Sequence, residues 1–566
     1  MFKNIIKGYK KKIKMDWKAN LNYWKENAPK NVLESIEKFT QEELEWYFAK
    51  DLEFGTAGMR GVMGYAPGLM NEYLIAKYSL AYGKALLEKY GSEAKENGVV
   101  IAHDNRSNNI LFSETAAKVI SALGIPVYFF EGNKLQPTPL LSYTIAGSNY
   151  VGGINITASH NPPEYQGYKV YDHTGVQILP DFVDIIVKYA NEDINIFNIK
   201  QSNKLIKYLS KGIEKRYIKT IIDNIPFEGK VDRSDVKVVF SPQHGTAYKL
   251  GEAIMKKMNV TYTMVKEQSN PDSEFTNTLS PNPQNPDSFI LSREYGDKLN
   301  ADVLFCTDPD ADRFGVEVKH NGKWEHITGN HLPLIQINYK LMKLKEIDYI
   351  SEGDFIVRSV VTSNQADRLA EKYGVDVYKS LTGFKWLMNE SFKHELTGSE
   401  ALFVWEESYG SIVRTFTRDK DSFQALAQVI EIIKYYKDRG MSLIDGLNEI
   451  QDEIGYYLAP QDTLRIDGKD GMEKMFSIID KFKSTKVGDK FKTLEVTKVA
   501  DFSKGYKHYP KDNILMIRFN NEHSLAVRPS GTEPLLRFYF NGVGNSRSEA
   551  KTKIKMLRDF VAKVTE

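Results

Sequence analysis

Cysteine is nearly missing from this chain: among 566 residues only Cys306 occurs. An internal disulfide framework is therefore excluded, which fits a reducing, cytoplasmic setting. Long apolar runs are missing too. No uncharged stretch approaches the roughly 18 residues of a transmembrane helix. Lysines interrupt every apolar stretch of the opening "MFKNIIKGYKKKIKMDW", so it has no hydrophobic centre of an export signal. A surplus of one charge is also lacking. Lys and Arg number 76 against 74 Asp and Glu, a net of +2, which removes any bulk electrostatic reason for a nucleic-acid or membrane partner.

What is present is the composition of an ordinary globular protein, 42% hydrophobic and 27% charged, so disorder is not expected. A single core stops growing at roughly 250–300 residues, so this chain must divide. Cys306, inside the apolar run "ADVLFCT", reads as a core residue. Tyr9, Ile13 and Trp17, at i, i+4 spacing, read as an amphipathic helical arm packed on the first domain.

Strand-like runs alternate with helical patterns: "NGVVIAHD" leads into "SETAAKVISALG" and then "PVYFFEG", and "VKVVFSPQHG" leads into "KLGEAIMKKMNV". Crossover units of a mixed or parallel sheet produce this alternation, so the fold class is α/β. A further cycle follows in "DFIVRSVVTS", "SNQADRLAEKYGV" and "DVYKSLTG", giving at least three α/β units. From about residue 456 the pattern changes to helix, strands and helix, a smaller α+β domain. The expected division is 1–205, 206–324, 325–455 and 456–566.

Four loops carry chemistry. In "YVGGINITASHNPP" a strand ends and delivers Thr157, Ser159, His160 and Asn161 to an exposed loop at its C-terminal edge, where α/β sheets place ligand groups. A helix N-cap or a Ser/Asn turn would use the same serine. No G-x-S-x-G surrounds it, which excludes a hydrolase elbow. In "CTDPDADRFG", Asp308, Asp310 and Asp312 would repel one another unless a hard divalent cation sat between them. With about three protein oxygens, Mg²⁺ completed by phosphate or water fits best. Calcium-loop spacing fails, because Arg313 stands where glycine and Lys319 where glutamate is needed. A solvated acidic turn is the plain alternative.

In "VRPSGTEP", Arg528 with Ser530, Gly531 and Thr532 forms a donor-rich nest suited to phosphate, and a hairpin loop competes with that reading. In "VWEESYG", Glu406 and Ser408 are acceptors that suit sugar hydroxyls and would repel phosphate. "EFGTAGMRG" adds Arg60 among close glycines, and it is neither a Walker loop nor a dinucleotide fingerprint. A hydroxyl, a metal cage, a phosphate nest and sugar acceptors together imply phosphoryl transfer on a sugar phosphate.

With "GTAGMRG", "TASHNPP", "DPDADR", "EESYG" and "RPSGTEP" in this order, the chain resembles the α-D-phosphohexomutase superfamily, in its phosphoglucomutase type. The resemblance implies three related α/β domains and a mobile C-terminal lid around a central cleft. It implies that Ser159 carries a phosphoryl group and that Asp308, Asp310 and Asp312 hold Mg²⁺ together with a phosphate oxygen on Ser159. Arg60, Lys169 and Arg313 align with charged groups around that serine. Lys169 is the first candidate for general acid or base and His160 the second; an exposed lysine would need its pKa lowered by its cationic neighbours.

Glu406 and Ser408 would hold the 3- and 4-hydroxyls, Thr382 and Gly383 in "SLTGFKW" would contact the sugar, and Arg528, Ser530, Gly531 and Thr532 would bind the second phosphate. Glucose 1,6-bisphosphate is the implied intermediate and activator, and the implied assembly is a monomer or weak homodimer. Two departures are visible: Trp405 stands where many relatives have glycine, and the loop lacks their Gly-His ending. The expected reaction interconverts glucose 1-phosphate and glucose 6-phosphate, with mannose or pentose phosphates as alternatives. A kinase is disfavoured by the absence of G-x-x-x-x-G-K-[ST]. A phosphatase and a non-catalytic binding protein remain as other classes.

Overall fold

Val99–His103 is buried at all five positions, as is Gly152–Ile156. A strand covered on both faces is what a sheet flanked by helices requires. Each fully buried Val or Ile contributes about 1.5–3 kcal/mol. The computed structural model describes residues 16–55, 58–229, 231–466, 470–530 and 534–565. The chain divides into two units, Met1–Glu317 with Arg414–Ile430, and Val318–Val413 with Glu431–Glu566.

Among the described residues the first unit begins with the helices Trp17–Asn27, Lys30–Ile36 and Gln41–Phe48. Trp24 packs edge-on against Phe48 and Phe197, and Trp17 joins the same cluster. Tyr9 and Ile13 lie outside the described residues. The first sheet uses β1 (Met59–Val62), β2 (Val99–His103), β3 (Val127–Phe129), β4 (Gly152–Ile156), β5 (Tyr165–Asp172) and β6 (Ile206–Tyr208), in the order β1-β5-β4-β2-β3-β6. It is mixed: β2, β3, β4 and β6 pair in parallel, and β5 runs antiparallel to β4 and β1. Helix Glu72–Tyr90 covers it, with the Asn71 side chain capping the N-terminus by accepting from the Leu74 amide.

The second sheet contains β7 (Arg233–Ser241), β8 (Val260–Met264), β9 (Val303–Thr307), β10 (Phe314–His320) and β11 (Lys323–Ile327), in the order β11-β10-β9-β7-β8. Cys306 lies in β9, fully buried, and burial pushes its thiol pKa far up. It is an inert core residue.

In the second unit a third mixed sheet orders β13 (Asp376–Ser380), β12 (Phe355–Ser359), β14 (Ala401–Glu406) and β15 (Gly410–Ile412). The C-terminal sheet is antiparallel, with β16 (Tyr456–Leu458), β17 (Gln461–Arg465), β18 (Lys490–Phe491), β19 (Leu494–Asp501), β20 (Leu515–Phe519), β21 (Ser524–Pro529) and β22 (Leu535–Gly544). Helices Gly471–Lys483 and Arg547–Thr565 pack on it. Two short strands therefore precede the helix expected to open this domain, because β16 and β17 both pair with β22. Three mixed-sheet α/β domains and a C-terminal α+β domain are the observed fold class.

Candidate active site

Ser159 follows β4 and adopts a left-handed backbone, φ +53°, which costs a non-glycine residue energy and persists only when its surroundings impose it. The surroundings are identifiable. The Arg106 guanidinium donates to the carbonyls of Ser159 (2.6 Å), Asn161 (2.5 Å), Pro162 (2.7 Å) and Tyr165 (3.0 Å), and its Nε pairs with Asp104 at 3.2 Å. The expected exposure of this loop is corrected here: Ser159 is only 3% exposed, because Arg106 folds the loop inward onto the carboxylates.

The Ser159 hydroxyl donates to Asp308 Oδ2 at 2.7 Å and lies 3.2 Å from His160 Nδ1. Burial, with Arg313 and Arg60 nearby, holds the His160 pKa well below its ordinary value, so the ring is neutral. Arg60, on β1, is exposed and donates to Asn161 Oδ1 at 2.9 Å. Gly58, just before it, has φ +76°, and a Cβ there would stand 1.9 Å from the Tyr168 carbonyl.

The three aspartates lie in the turn after β9. One carboxylate oxygen from each falls within 4.8 Å of the others, and all three side chains are buried. Asp308 Oδ1 accepts from the amides of Asp312 (3.1 Å) and Arg313 (3.0 Å), fixing the turn. The turn also sits against Gly245, where a Cβ would come 2.4 Å from Pro309. Asp310 Oδ1 and Asp312 Oδ1 are buried without a hydrogen-bond partner among the described residues. Orphaned anionic oxygens inside a protein demand compensation, and a hard cation with oxygen ligands supplies it, so the residues fit a metal ion.

Lys169, on β5, is buried rather than exposed, with Nζ 2.7 Å from Asp310 Oδ2 and 3.4 Å from Asp312 Oδ2. Burial opposes its charge, but Asp310 and Asp312 outweigh burial and raise its pKa above the ordinary lysine value. The required lowering by cationic neighbours is thus replaced by stabilisation from anionic ones. Burial, Asp312 and Asp310 drive the Asp308 pKa well up. For Asp312, Lys420 and Lys169 more than offset burial and hold its pKa far down.

Several partners escape a reading by motif. Thr138 donates to Asp310 Oδ2 at 2.9 Å and is itself held by Asn155. Lys420 lies 3.2 Å from Asp312 and 3.1 Å from Asp419. Asp104 and Arg106, in "AHDNRSN" directly after β2, stand at a strand's C-terminal edge, and that position was the available signal.

In the second unit, Glu406 ends β14 and is nearly buried, its Oε1 accepting from Ser408 at 2.7 Å. Glu407, which motif reading passed over, accepts from Ser359 and Thr362, each at 2.9 Å. Burial and then Glu406 raise its pKa. Thr382 is buried with its hydroxyl unpartnered, beside Gly383 at φ +105°. Trp405 is buried within β14 against Phe403. Arg528, on β21, hydrogen-bonds the Tyr539 side chain, whose pKa is raised by burial and by Glu407. The Ser530 amide donates to Leu535 O at 2.8 Å; Gly531 and Thr532 lie outside the described residues. The C-terminal domain, expected as a mobile lid, shares with the third domain an apolar cluster including Val361, Leu381, Met516, Ala526 and Tyr539.

Four family models match the chain in order. They are Phosphoglucomutase/phosphomannomutase alpha/beta/alpha domain I over residues 51–196, domain II over 215–322, domain III over 328–453, and the C-terminal domain over 484–558. The chain belongs to the phosphoglucomutase/phosphomannomutase family. It is a phosphohexomutase, an isomerase acting by intramolecular phosphoryl transfer. Similar proteins include a phosphomannomutase of Mycoplasmoides pirum, 32% identical over 94% of this chain and 96% of that one. A phosphoglucomutase of Staphylococcus saprophyticus is 31% identical over 92% of this chain and 95% of that one.

Among solved structures, a phosphoglucomutase/phosphomannomutase family protein from Burkholderia thailandensis matches with a TM-score of 0.67 at 19% identity, over 90% of this chain and 97% of that one. The open form of parafusin, a phosphoglucomutase from Paramecium, matches with a TM-score of 0.67 at 18% identity, over 91% and 94%. These two share the fold. No helix among the described residues is long and apolar enough to cross a membrane.

Proposed function

We propose that this phosphohexomutase is a Mg²⁺-dependent, cytoplasmic phosphoglucomutase that interconverts glucose 1-phosphate and glucose 6-phosphate. The observation that carries this reading is the hydroxyl of Ser159, 2.7 Å from a buried three-aspartate cage with unpartnered oxygens. Ser159 would carry a phosphoryl group. A sugar hydroxyl attacks that phosphorus, the Ser159 Oγ–P bond breaks as the sugar O–P bond forms, and glucose 1,6-bisphosphate results. The bisphosphate reorients and returns its other phosphate to Ser159.

Asp308, Asp310 and Asp312 would hold Mg²⁺, which supplies positive charge against the transferring phosphoryl. Lys169, protonated and fixed beside Asp310, gives a proton to the sugar oxygen that leaves when Ser159 takes the phosphoryl group, and as the free amine takes the proton of the sugar hydroxyl in the opposite step. Neutral His160, 3.2 Å from the Ser159 oxygen, takes the proton when Ser159 attacks and returns it when that oxygen leaves, so each step balances. Arg60 and Arg313 complement the phosphate on Ser159. Glu406 and Ser408 take the 3- and 4-hydroxyls, with Thr382 and Gly383 beside them, and Arg528 with the 530–532 loop grips the phosphate not being transferred.

A phosphomannomutase is the second reading, because a pair addressing the 3- and 4-hydroxyls leaves the 2-hydroxyl unread, and a relative of that name is 32% identical; a phosphopentomutase is a third. Rates with glucose, mannose and ribose 1-phosphates under Mg²⁺ separate them. Intact mass after incubation with glucose 1,6-bisphosphate tests the covalent step. A gain of one phosphoryl group, absent in Ser159→Ala, is expected; no gain in the unaltered protein overturns the mechanism.

A further inference from the structure

Within the first unit, on the side of β3 and β6, lies a cavity of about 570 Å³ that the reaction above does not use. Its wall is aromatic, with Tyr128, Tyr143, Tyr150, Tyr208 and Phe416. The rings hold one another: Tyr128 and Tyr150 lie 5.1 Å apart, and Tyr143 meets Phe416 edge-on at 6.1 Å. Tyr208 leaves 61% of its surface exposed at the rim. Large rings fixed around an open volume provide flat faces at little entropic cost.

The same wall is electropositive. Arg216 and Arg418 line the cavity, and no aspartate or glutamate does. Lys207 adds charge beside the Tyr128 ring. Two acidic residues close by are engaged elsewhere, Glu131 with Lys211 and Glu214 with Gln136. Arg216 makes no ion pair among the described residues. Rings for stacking and a guanidinium for an anion, in a volume typical of small-ligand pockets, select a flat ring carrying a phosphate.

The cavity is tied to the aspartate cage. Helix Thr138–Ala146 presents Tyr143, Thr144 and Ala146 to the cavity, while Thr138 at its other end donates to Asp310 through both its amide and its hydroxyl, each at 2.9 Å. Arg418 donates its amide to Ser142 Oγ at 2.9 Å, two residues before Lys420 reaches Asp312. An occupant that moves either segment moves groups that touch the cage.

We propose that this cavity is an effector site for nucleoside monophosphates, whose occupancy changes the Mg²⁺ requirement of the enzyme. The binding half stands alone; the Mg²⁺ half rests on Asp310 and Asp312 holding the metal. The test is calorimetric titration of the full-length protein with AMP and UMP, with adenosine and inorganic phosphate as separate probes. At least one nucleotide should bind, at least tenfold more tightly than either part alone. Arg216→Glu, and separately Tyr150→Leu, should weaken binding at least tenfold with basal mutase activity unchanged.

No binding by either nucleotide, binding indifferent to both substitutions, or displacement by glucose 1,6-bisphosphate would overturn the site. In the mutase assay, the bound nucleotide should shift the Mg²⁺ concentration for half-maximal rate in the unaltered enzyme and not in Arg216→Glu. Binding without such a difference would overturn the effector role. A lack of any Mg²⁺ dependence would instead overturn the reading of the cage.

Discussion

Arg106 donates to the carbonyl oxygen of Ser159 at 2.6 Å, and neither its side chain nor that of its ion-pair partner Asp104 is exposed. The serine's left-handed backbone, and hence the aim of its hydroxyl at Asp308, is held by a planar fork reaching four carbonyls. Lysine would keep a charge opposite Asp104 but has no fork. Arg106→Lys is expected to lower kcat by about 10- to 150-fold, the equivalent of one charged hydrogen bond at roughly 1.5–3 kcal/mol. KM should change little. Measuring kcat, KM and phosphoenzyme formation beside a thermal melt checks this. An unchanged kcat in a folded variant would show that the fork does not position Ser159.

Asp310→Asn should raise the Mg²⁺ concentration needed for half-maximal rate at least tenfold, because one anionic oxygen is removed from a small cage. It also leaves buried Lys169 without its nearest carboxylate, 2.7 Å away, and breaking such a pair costs about 3–5 kcal/mol. A Mg²⁺ activation curve and a urea melt read the two effects separately. A melt that shifts while the activation curve does not would assign Asp310 to the ion pair alone.

Arg528 hydrogen-bonds Tyr539, a side chain that also feels Glu407, and the role proposed for its guanidinium is to bind the phosphate that is not transferred. Arg528→Ala should lower kcat/KM by about 10- to 150-fold in both directions. Arg528→Lys should recover only part. A change below about twofold in kcat/KM would contradict phosphate binding by this loop.

His523 offers a pH test on the C-terminal sheet. Buried at 2% exposure, its Nδ1 accepts from the Val543 amide and its Nε2 has no partner among the described residues. Burial and then Lys553 lower its pKa to about 4. A histidine depressed in the folded state contributes stability that is full above its unfolded value near 6.5 and is lost as pH falls through 4. Protonation of the unfolded chain should therefore cost about 3 kcal/mol across that window. His523→Asn, which keeps an acceptor, should flatten the pH dependence of the melt between 6.5 and 4. Parallel profiles would reject it.

Much of this protein is written locally. Alternating apolar runs and amphipathic segments specify buried strands and covering helices because backbone hydrogen bonding and side-chain periodicity act over a few residues. The residues of "TASHNPP" and "DPDADR" were legible for the same reason: each group of polar residues follows directly on a strand. Local signals do not reach across the chain. Arg106 carries only the signal of a strand end, Thr138 and Lys420 belong to no motif, and their roles exist only because folding carries them to Ser159, Asp310 and Asp312. Tertiary structure also decided the state of Lys169. Its burial was invisible in "GYKVY", and its charge is set by two carboxylates 141 and 143 residues away, since electrostatic environment depends on distance in space and not along the chain.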